Sequence, residues 1–124
     1  MSEHSDIPKQ NWPWPDSLDA LVAASGNHTV LFENERVRVV QTRILPGQTV
    51  PVHTHRWPGV MFIRAWSDLV RRDHLGSVMQ DSRQAPEPPL LNTPMWLEPI
   101  PPHSVENVGA GEILTVHVEI KSAL

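Results

Sequence analysis

Residues 47–55 read G-Q-T-V-P-V-H-T-H, and this stretch predicts both a β-strand and a pair of metal ligands. His53 and His55 stand two positions apart, so both imidazoles leave the same face of an extended strand. Two neutral imidazoles directed at one point suit a divalent transition metal far better than a hydrophobic core. A pair of ligands is a poor site by itself, so a third histidine is expected from elsewhere in the chain.

Residues 99–107 read P-I-P-P-H-S-V-E-N and contain the best candidate for that third ligand. His103 follows a short strand and a proline-rich turn, which is a position that can face the paired histidines. The alternative for any single histidine is a surface position or a satisfied place in the core. Taken together, His53, His55 and His103 are predicted to bind one metal ion.

The two segments resemble the two sequence motifs of the cupins, a superfamily of small β-barrels. The first motif is a glycine, five residues, H-x-H and, a few residues later, a glutamate; the second is P-x-G-x-x-H-x-x-x-N. The matching residues are Gly47, His53, His55, Pro99, His103 and Asn107. The resemblance extends from about residue 30 to residue 121, and it implies that the position of Asn107 is structural and ties down a turn.

The sequence departs from the cupin motifs at two positions. Val60 stands where the family usually carries a glutamate ligand, and residues 56–67 contain no acid. Pro101 replaces the glycine of the second motif. Some cupins of the dioxygenase type hold iron with three histidines and no carboxylate, so the resemblance implies a three-histidine site and leaves the reaction open.

Composition limits the class of protein. The chain has 124 residues, a formal net charge of -4 and no cysteine. The acidic balance argues against a nucleic-acid partner, and the lack of cysteine excludes disulfides and thiolate ligands and is compatible with the cytoplasm. Because no apolar run is long enough to span a bilayer and the N-terminus shows no secretory signal, we expect a cytoplasmic protein with no membrane partner.

The pattern of the chain predicts an arm over residues 1–15 and a single cupin barrel domain over residues 16–124. Residues 16–24 are expected to form one short N-terminal helix with a packing stripe of Leu18, Leu21 and Val22. From Thr29 the hydrophobic period becomes two, which predicts an all-β jelly roll, the cupin-type double-stranded β-helix, of about eight short strands. The expected strands cover residues 29–32, 36–44, 49–55, 60–66, 69–74, 95–98 and 113–120, with a bulge at 39–40 and a hairpin with a long loop over 75–94.

Several other side chains are candidates for the wall of a barrel pocket. Arg64 is expected either to hold a substrate carboxylate from inside or to face solvent. His117 alternates with valines at 116 and 118; if these face the core, His117 faces solvent or a partner chain, and otherwise it lines the pocket. Arg71 and Arg72 are expected on the surface, and His28 is given no role. The pocket candidates are Trp57, Val60, Arg64, Trp66, Trp96 and His117.

The predicted three-histidine site favours metal chemistry with a small-molecule ligand. Three imidazoles on one side of a metal leave positions open for water, substrate or dioxygen. The expected cofactor is one divalent transition metal ion, iron first, then zinc, manganese, nickel or copper. Two functions stay open: a dioxygenase-like enzyme (less often an isomerase or lyase) acting on a small oxygen-rich or enolisable substrate, or a non-catalytic binding module for sensing or storage. A homodimer is also predicted, with Trp12 and Trp14 in an apolar arm.

Overall fold

Antiparallel β-strands dominate the computed structural model, which describes residues 12–121. The predicted all-β class with one short helix is therefore confirmed. A 3₁₀ turn at Asp16–Leu18 precedes a helix α1, and a second 3₁₀ turn occupies Ser82–Gln84. The regular elements are α1 (Ala20–Ala23), β1 (His28–Glu33), β2 (Val37–Ile44), β3 (Thr49–His55), β4 (Gly59–Ala65), β5 (Leu69–Asp73), β6 (Val78–Asp81), β7 (Met95–Leu97), β8 (Ile100–Asn107) and β9 (Ile113–Ile120).

The strands form two sheets that enclose the interior. One has five strands in the order β1-β2-β9-β4-β7, and the other has four in the order β3-β8-β5-β6. Side chains alternate between the two faces of each strand, so every second residue points inward. In the four-stranded sheet His53 lies directly opposite His103, because β3 and β8 are antiparallel neighbours.

The position of the β-bulge in the first hairpin differs from the expectation. The bulge lies in β1, where Leu31 is the extra residue, since Val30 pairs with Val40 and Phe32 pairs with Val39. The predicted position at 39–40 is therefore the partner side of the bulge. A bulge increases the local twist, which helps a sheet to curl.

The short helix differs from its predicted form. Asp19 caps α1, and its carboxylate accepts a hydrogen bond from the backbone N–H of Leu21 at 3.0 Å. Ala20 and Ala24 are the buried residues, whereas Val22 is 64% exposed. Of the predicted packing stripe, Leu18 and Leu21 are partly buried, but Val22 faces solvent, because the helix is a single turn that buries Ala20.

Turns and side-chain hydrogen bonds fix the start of β3 and the end of β8. Pro46 and Gly47 occupy the centre of a turn closed by a hydrogen bond from the backbone N–H of Gln48 to the carbonyl of Leu45, and Gly47 has φ of 81°. Asn107 fixes the same region: its amide donates to the carbonyls of Ile44 at 2.9 Å and of residue 111 at 2.8 Å. These bonds give Asn107 the structural role that the cupin resemblance implied.

Strand β8 and the N-terminal segment are two further regions for which the expected and observed structures can be compared. Residues 99–107 were expected to hold a proline-rich turn, but β8 runs through Pro101 and Pro102. Residues 1–11 of the predicted arm lie outside the described residues. Trp14 is partly buried, and its ring centroid lies 5.8 Å from that of His74. Within residues 12–121, no helix has the length and apolar character needed to cross a membrane.

Candidate metal centre

Five buried histidines line one interior cavity. They come from β1, β3, β8 and β9, so both sheets contribute. Neighbouring rings are close, with centroids 4.2 Å apart for His53 and His103 and 4.9 Å apart for His53 and His55. The five residues are His28, His53, His55, His103 and His117.

His53 and His103 are anchored in the same way. Nδ1 of His53 donates to the carbonyl oxygen of Pro51 at 2.7 Å, and Nδ1 of His103 donates to that of Pro101 at 2.8 Å. A carbonyl can only accept, so the proton of each neutral ring is on Nδ1. Nε2 is then the unprotonated nitrogen, which is the form that binds a metal.

His55 is anchored by a buried carboxylate. Its Nδ1 lies 3.2 Å from Oε2 of Glu119, whose side chain is fully buried. The other oxygen of Glu119 accepts a hydrogen bond of 2.6 Å from Nε of Arg38, and Arg38 also forms a two-pronged pair with Asp19. A buried carboxylate is stable only when charges and donors surround it, and this chain of contacts supplies them.

His28 is the ligand candidate that sequence reasoning missed. Its Nδ1 donates to the carbonyl of Ala24 at 2.9 Å. One ligand atom from each of His28, His53 and His55 lies within 4.8 Å of the others, so these three are able to hold a metal ion. His103 is outside that group of three, although its ring is the nearest neighbour of His53. Only the fold brings His28 to this point, because it lies 25 residues before His53 and outside both motifs.

The electrostatics of the cluster favour neutral imidazoles. Burial lowers the pKa of His53 to about 2, with the neighbouring His103 and His55 acting in the same direction. Burial also lowers the pKa of His103 to about 4 and that of His55 well below its ordinary value. Rings that stay unprotonated at neutral pH are available to a metal without first releasing a proton.

A second set of potential ligand atoms lies behind the first. His55, His117 and Glu119 also have ligand atoms within 4.8 Å of one another. Here, however, the Glu119 carboxylate already forms an ion pair with Arg38, and Nδ1 of His55 is already hydrogen-bonded to Glu119. This set therefore has the form of a support that orients a ligand, which is the usual surrounding of metal-bound histidine.

The cavity has a volume of about 420 Å³, which is sufficient for a small organic molecule. Apart from the histidines, its wall is mainly apolar. Trp66 and His117, both predicted as pocket candidates, line it. The apolar lining includes Ile44, Val50, Met61, Ile63, Leu69, Met95, Leu97, Val105 and Ile113.

The other four pocket candidates lie elsewhere. Met61 and Ile63 of β4 line the cavity, so the alternating Val60 and Arg64 face the opposite side of the sheet. Trp96 is 55% exposed. Trp57 packs under cations outside the cavity, with the guanidinium carbon of Arg38 4.8 Å from its ring centroid.

Arg71 is another residue whose position differs from the sequence prediction. It was expected on the surface, but it lines the cavity, and its Nε is buried. Its neighbour Arg72 is only partly buried and pairs with Glu106 at 2.9 Å. A run of two arginines gives no signal as to which one faces inward, because this depends on the register of β5.

Comparison with solved structures identifies the fold. The chain is similar to a cupin domain from Bordetella pertussis Tohama I, with 26% identity and a TM-score of 0.61 over 77% of this chain and 92% of that one. It is also similar to an RmlC-like cupin with a double-stranded β-helix fold from Methanocaldococcus jannaschii, with 10% identity and a TM-score of 0.53 over 75% and 77% of the two chains. A third similar structure is the polyketide cyclase RemF from Streptomyces resistomycificus, with 12% identity and a TM-score of 0.50 over 77% and 64%.

These structures share the double-stranded β-helix, and the protein belongs to the cupin superfamily. The resemblance drawn from residues 47–55 and 99–107 is thereby confirmed. No protein-family model matches the sequence, and no curated protein matches it.

Proposed function

We propose that this cupin binds one divalent transition metal ion through its histidine cluster and acts as a metal-dependent oxidoreductase of the dioxygenase type. The observation that carries the metal site is the shared anchoring of four imidazoles. His28, His53 and His103 donate Nδ1–H to backbone carbonyls, and His55 donates to Glu119. Such outer bonds set the tautomer and orientation of metal-binding histidines.

Two overlapping ligand sets share His53 and His55. The cupin motifs favour His103 as the third ligand, whereas the ligand-atom distances favour His28. We propose that both rings would take part in holding the metal, together with His53 and His55. When bound, the metal supplies Lewis-acid polarisation of a substrate oxygen and, for iron, redox chemistry.

Because the proposed ligands are all neutral, they favour one class of substrate. With imidazoles as the only ligands, the charge of a divalent metal is not compensated. An anionic or enolisable substrate with two oxygens is therefore favoured over a neutral one. The apolar wall excludes water from that substrate, and His117, whose Nε2 is buried without a hydrogen-bond partner among residues 12–121, lies where it can accept a proton.

One observation favours the non-catalytic alternative, in which the barrel holds a metal or a small ligand without turnover. Glu119 is the buried carboxylate beside the histidines, and its two oxygens are bonded to Arg38 and His55. A carboxylate held in this way is not free to act as a general base. Oxygen uptake by iron-loaded protein with a panel of small 1,3-diketones and 2-oxo acids separates the two functions.

Elemental analysis of protein purified without added metal tests the metal site. We expect close to one equivalent in the wild type, and less than about a tenth in His53→Ala and His55→Ala. Loss of metal in His28→Ala and in His103→Ala assigns both outer ligands. His74→Ala is the matched control, because His74 is exposed and lies outside the cavity. A metal-free wild type, with circular dichroism showing an intact fold, would contradict the proposal.

A further inference from the structure

Arg71 is a cation inside the cavity that the proposed metal site does not use. It lies on β5, where Leu69 two positions earlier also lines the cavity. In the four-stranded sheet Arg71 is opposite Val105 of β8 and Gln80 of β6, and both of these residues are part of the cavity wall. The strand register thus fixes Arg71 on the inner face.

No carboxylate of residues 12–121 is paired with the guanidinium of Arg71. Its Nε is buried without a hydrogen-bond partner, and no ion pair of Arg71 is present among residues 12–121. Glu87 also lines the cavity, but it forms no ion pair with Arg71. Burial lowers the pKa of Arg71, and no neighbouring charge acts in the opposite direction. A partly buried arginine is costly to leave unpaired, and other arginines here, such as Arg38 and Arg72, have carboxylate partners.

Arg71 is placed to act together with the histidines. Asp73, two residues later on β5, is opposite His103, so Arg71 is the diagonal neighbour of His103. Diagonal neighbours in an antiparallel pair are about 7–8 Å apart at Cα, within reach of a long side chain.

We propose that Arg71 binds the carboxylate of a small organic acid whose apolar body fills the cavity and whose other end reaches the histidine cluster. A planar guanidinium matches a carboxylate in two parallel hydrogen bonds, which fixes the orientation of the acid as well as its presence. The apolar wall formed by residues such as Trp66 and Ile113 requires the rest of the molecule to be hydrophobic. The assignment deepens the proposed function by naming the substrate class, but the carboxylate site itself is present whether or not a metal is bound.

Calorimetry with benzoate and with its neutral analogue benzamide tests the proposal on protein treated with a chelator. We expect the wild type to bind benzoate about 10-fold or more tightly than benzamide, because a charge-assisted pair is lost with the amide. Arg71→Met removes the charge but keeps the length of the side chain, so this preference is expected to disappear. Arg72→Met is the matched control and is expected to keep it.

Three outcomes would overturn the proposal: no binding of benzoate by the wild type, equal affinity for the two probes, or a preference that survives in Arg71→Met. The melting temperature of Arg71→Met gives a second measurement. If Arg71 serves a ligand, removal of an unpaired charge leaves the melting temperature unchanged or raises it; a fall would indicate a structural role and contradict the proposal. Because the binding test uses metal-free protein, its failure is distinguishable from failure of the metal site, which the elemental analysis tests.

Discussion

Oε2 of Glu119 lies 3.2 Å from Nδ1 of His55, although the two residues are 64 positions apart in the chain. This contact joins β9 of one sheet to β3 of the other across the interior. It holds the imidazole from behind, and Arg38 holds the carboxylate in turn. The orientation of His55 thus depends on a residue near the end of the domain and, through Arg38, on the cap of helix α1.

Glu119→Gln is expected to weaken both folding and metal binding. Arg38 loses one of its two carboxylates, so the free energy of unfolding should fall by about 3 kcal/mol. Metal affinity should fall about 10- to 100-fold, as is usual when the partner of a metal-bound histidine is changed. Urea unfolding and competition with a chromophoric chelator measure the two effects. Glu106→Gln, which breaks the more exposed pair with Arg72, should cost less than about 1 kcal/mol; equal effects of the two changes would contradict the assignment.

Metal-free protein is expected to lose stability in weak acid. The unfolded chain binds protons on histidine below pH 6.5, whereas burial holds the pKa of His53 at about 2 and that of His103 at about 4. Between pH 6.5 and the lowered pKa of each histidine, the unfolded state binds more protons than the folded state. Each such histidine therefore lowers the unfolding free energy by about 1.4 kcal/mol per pH unit as the pH falls through this range. Burial raises the pKa of Glu119, which acts in the opposite sense but is a single group.

Urea unfolding at pH 7.5, 6.0 and 5.0 in the presence of a chelator measures this dependence. The free energy of unfolding should keep its full value above pH 6.5 and should decline steadily as the pH falls below 6.5. The double variant His53→Gln and His103→Gln should show a weaker decline. A free energy of unfolding that is constant from pH 7.5 to 5.0 would contradict the lowered pKa values of the buried histidines.

Gly59→Ala is expected to destabilise the barrel. A Cβ at this position would lie 2.0 Å from the carbonyl oxygen of Val118. Gly59 and Val118 belong to the paired strands β4 and β9. Because neither can move without disturbing the strand that carries Glu119, we expect a loss of about 3 kcal/mol in a thermal or urea unfolding experiment. Gly26→Ala is the control: nothing lies within 4 Å of its added Cβ, so its effect should stay within about 0.5 kcal/mol. Similar losses at both positions would contradict this account.

The homodimer stays a prediction, and the outer face of the five-stranded sheet suggests where to test it. Since His117 and Glu119 point inward, Val116 and Val118 point outward, beside Val60 and Phe62 of β4. An apolar sheet face of this kind commonly marks a protein interface. Light scattering at micromolar concentration should give a dimer for the wild type and a monomer for Val116→Lys. The control Leu75→Lys alters an 80% exposed residue and should remain dimeric; a monomeric wild type would refute the prediction.

The sequence predicted the parts of the fold that depend on local pattern. The limits of β3 and β9 agree with the expected strands at both ends, because alternation and flanking turns define them. Motif spacing brought His53 and His103 into one hypothesis, and the register of β3 and β8 places them opposite each other. His28 was missed, since only the fold brings its ring close to those of His53 and His55, with centroids 4.8 and 5.3 Å apart.

Other misplacements have a different physical reason. Strand β9 is apolar on its outward face and carries His117 and Glu119 on its inward face, which reverses the usual rule for a half-buried strand. The same rule was applied to Arg71, which was therefore predicted to lie on the surface. A polar residue that faces an interior cavity has the sequence pattern of a solvent-exposed one, so only the topology distinguishes the two cases.

Five side chains of the hydrophobic core cluster also line the cavity, namely Ile44, Val50, Leu69, Val105 and Ile113. Other buried residues, such as Val40 and Val70, lie away from the cavity, but a change in the shape of the cavity also changes the packing of this cluster. A molecule that occupies the cavity completes the packing of the whole barrel, and its binding free energy adds directly to the resistance of the chain to heat. Substitutions of these five side chains that fit a different ligand would therefore alter the thermal tolerance of the chain at the same time.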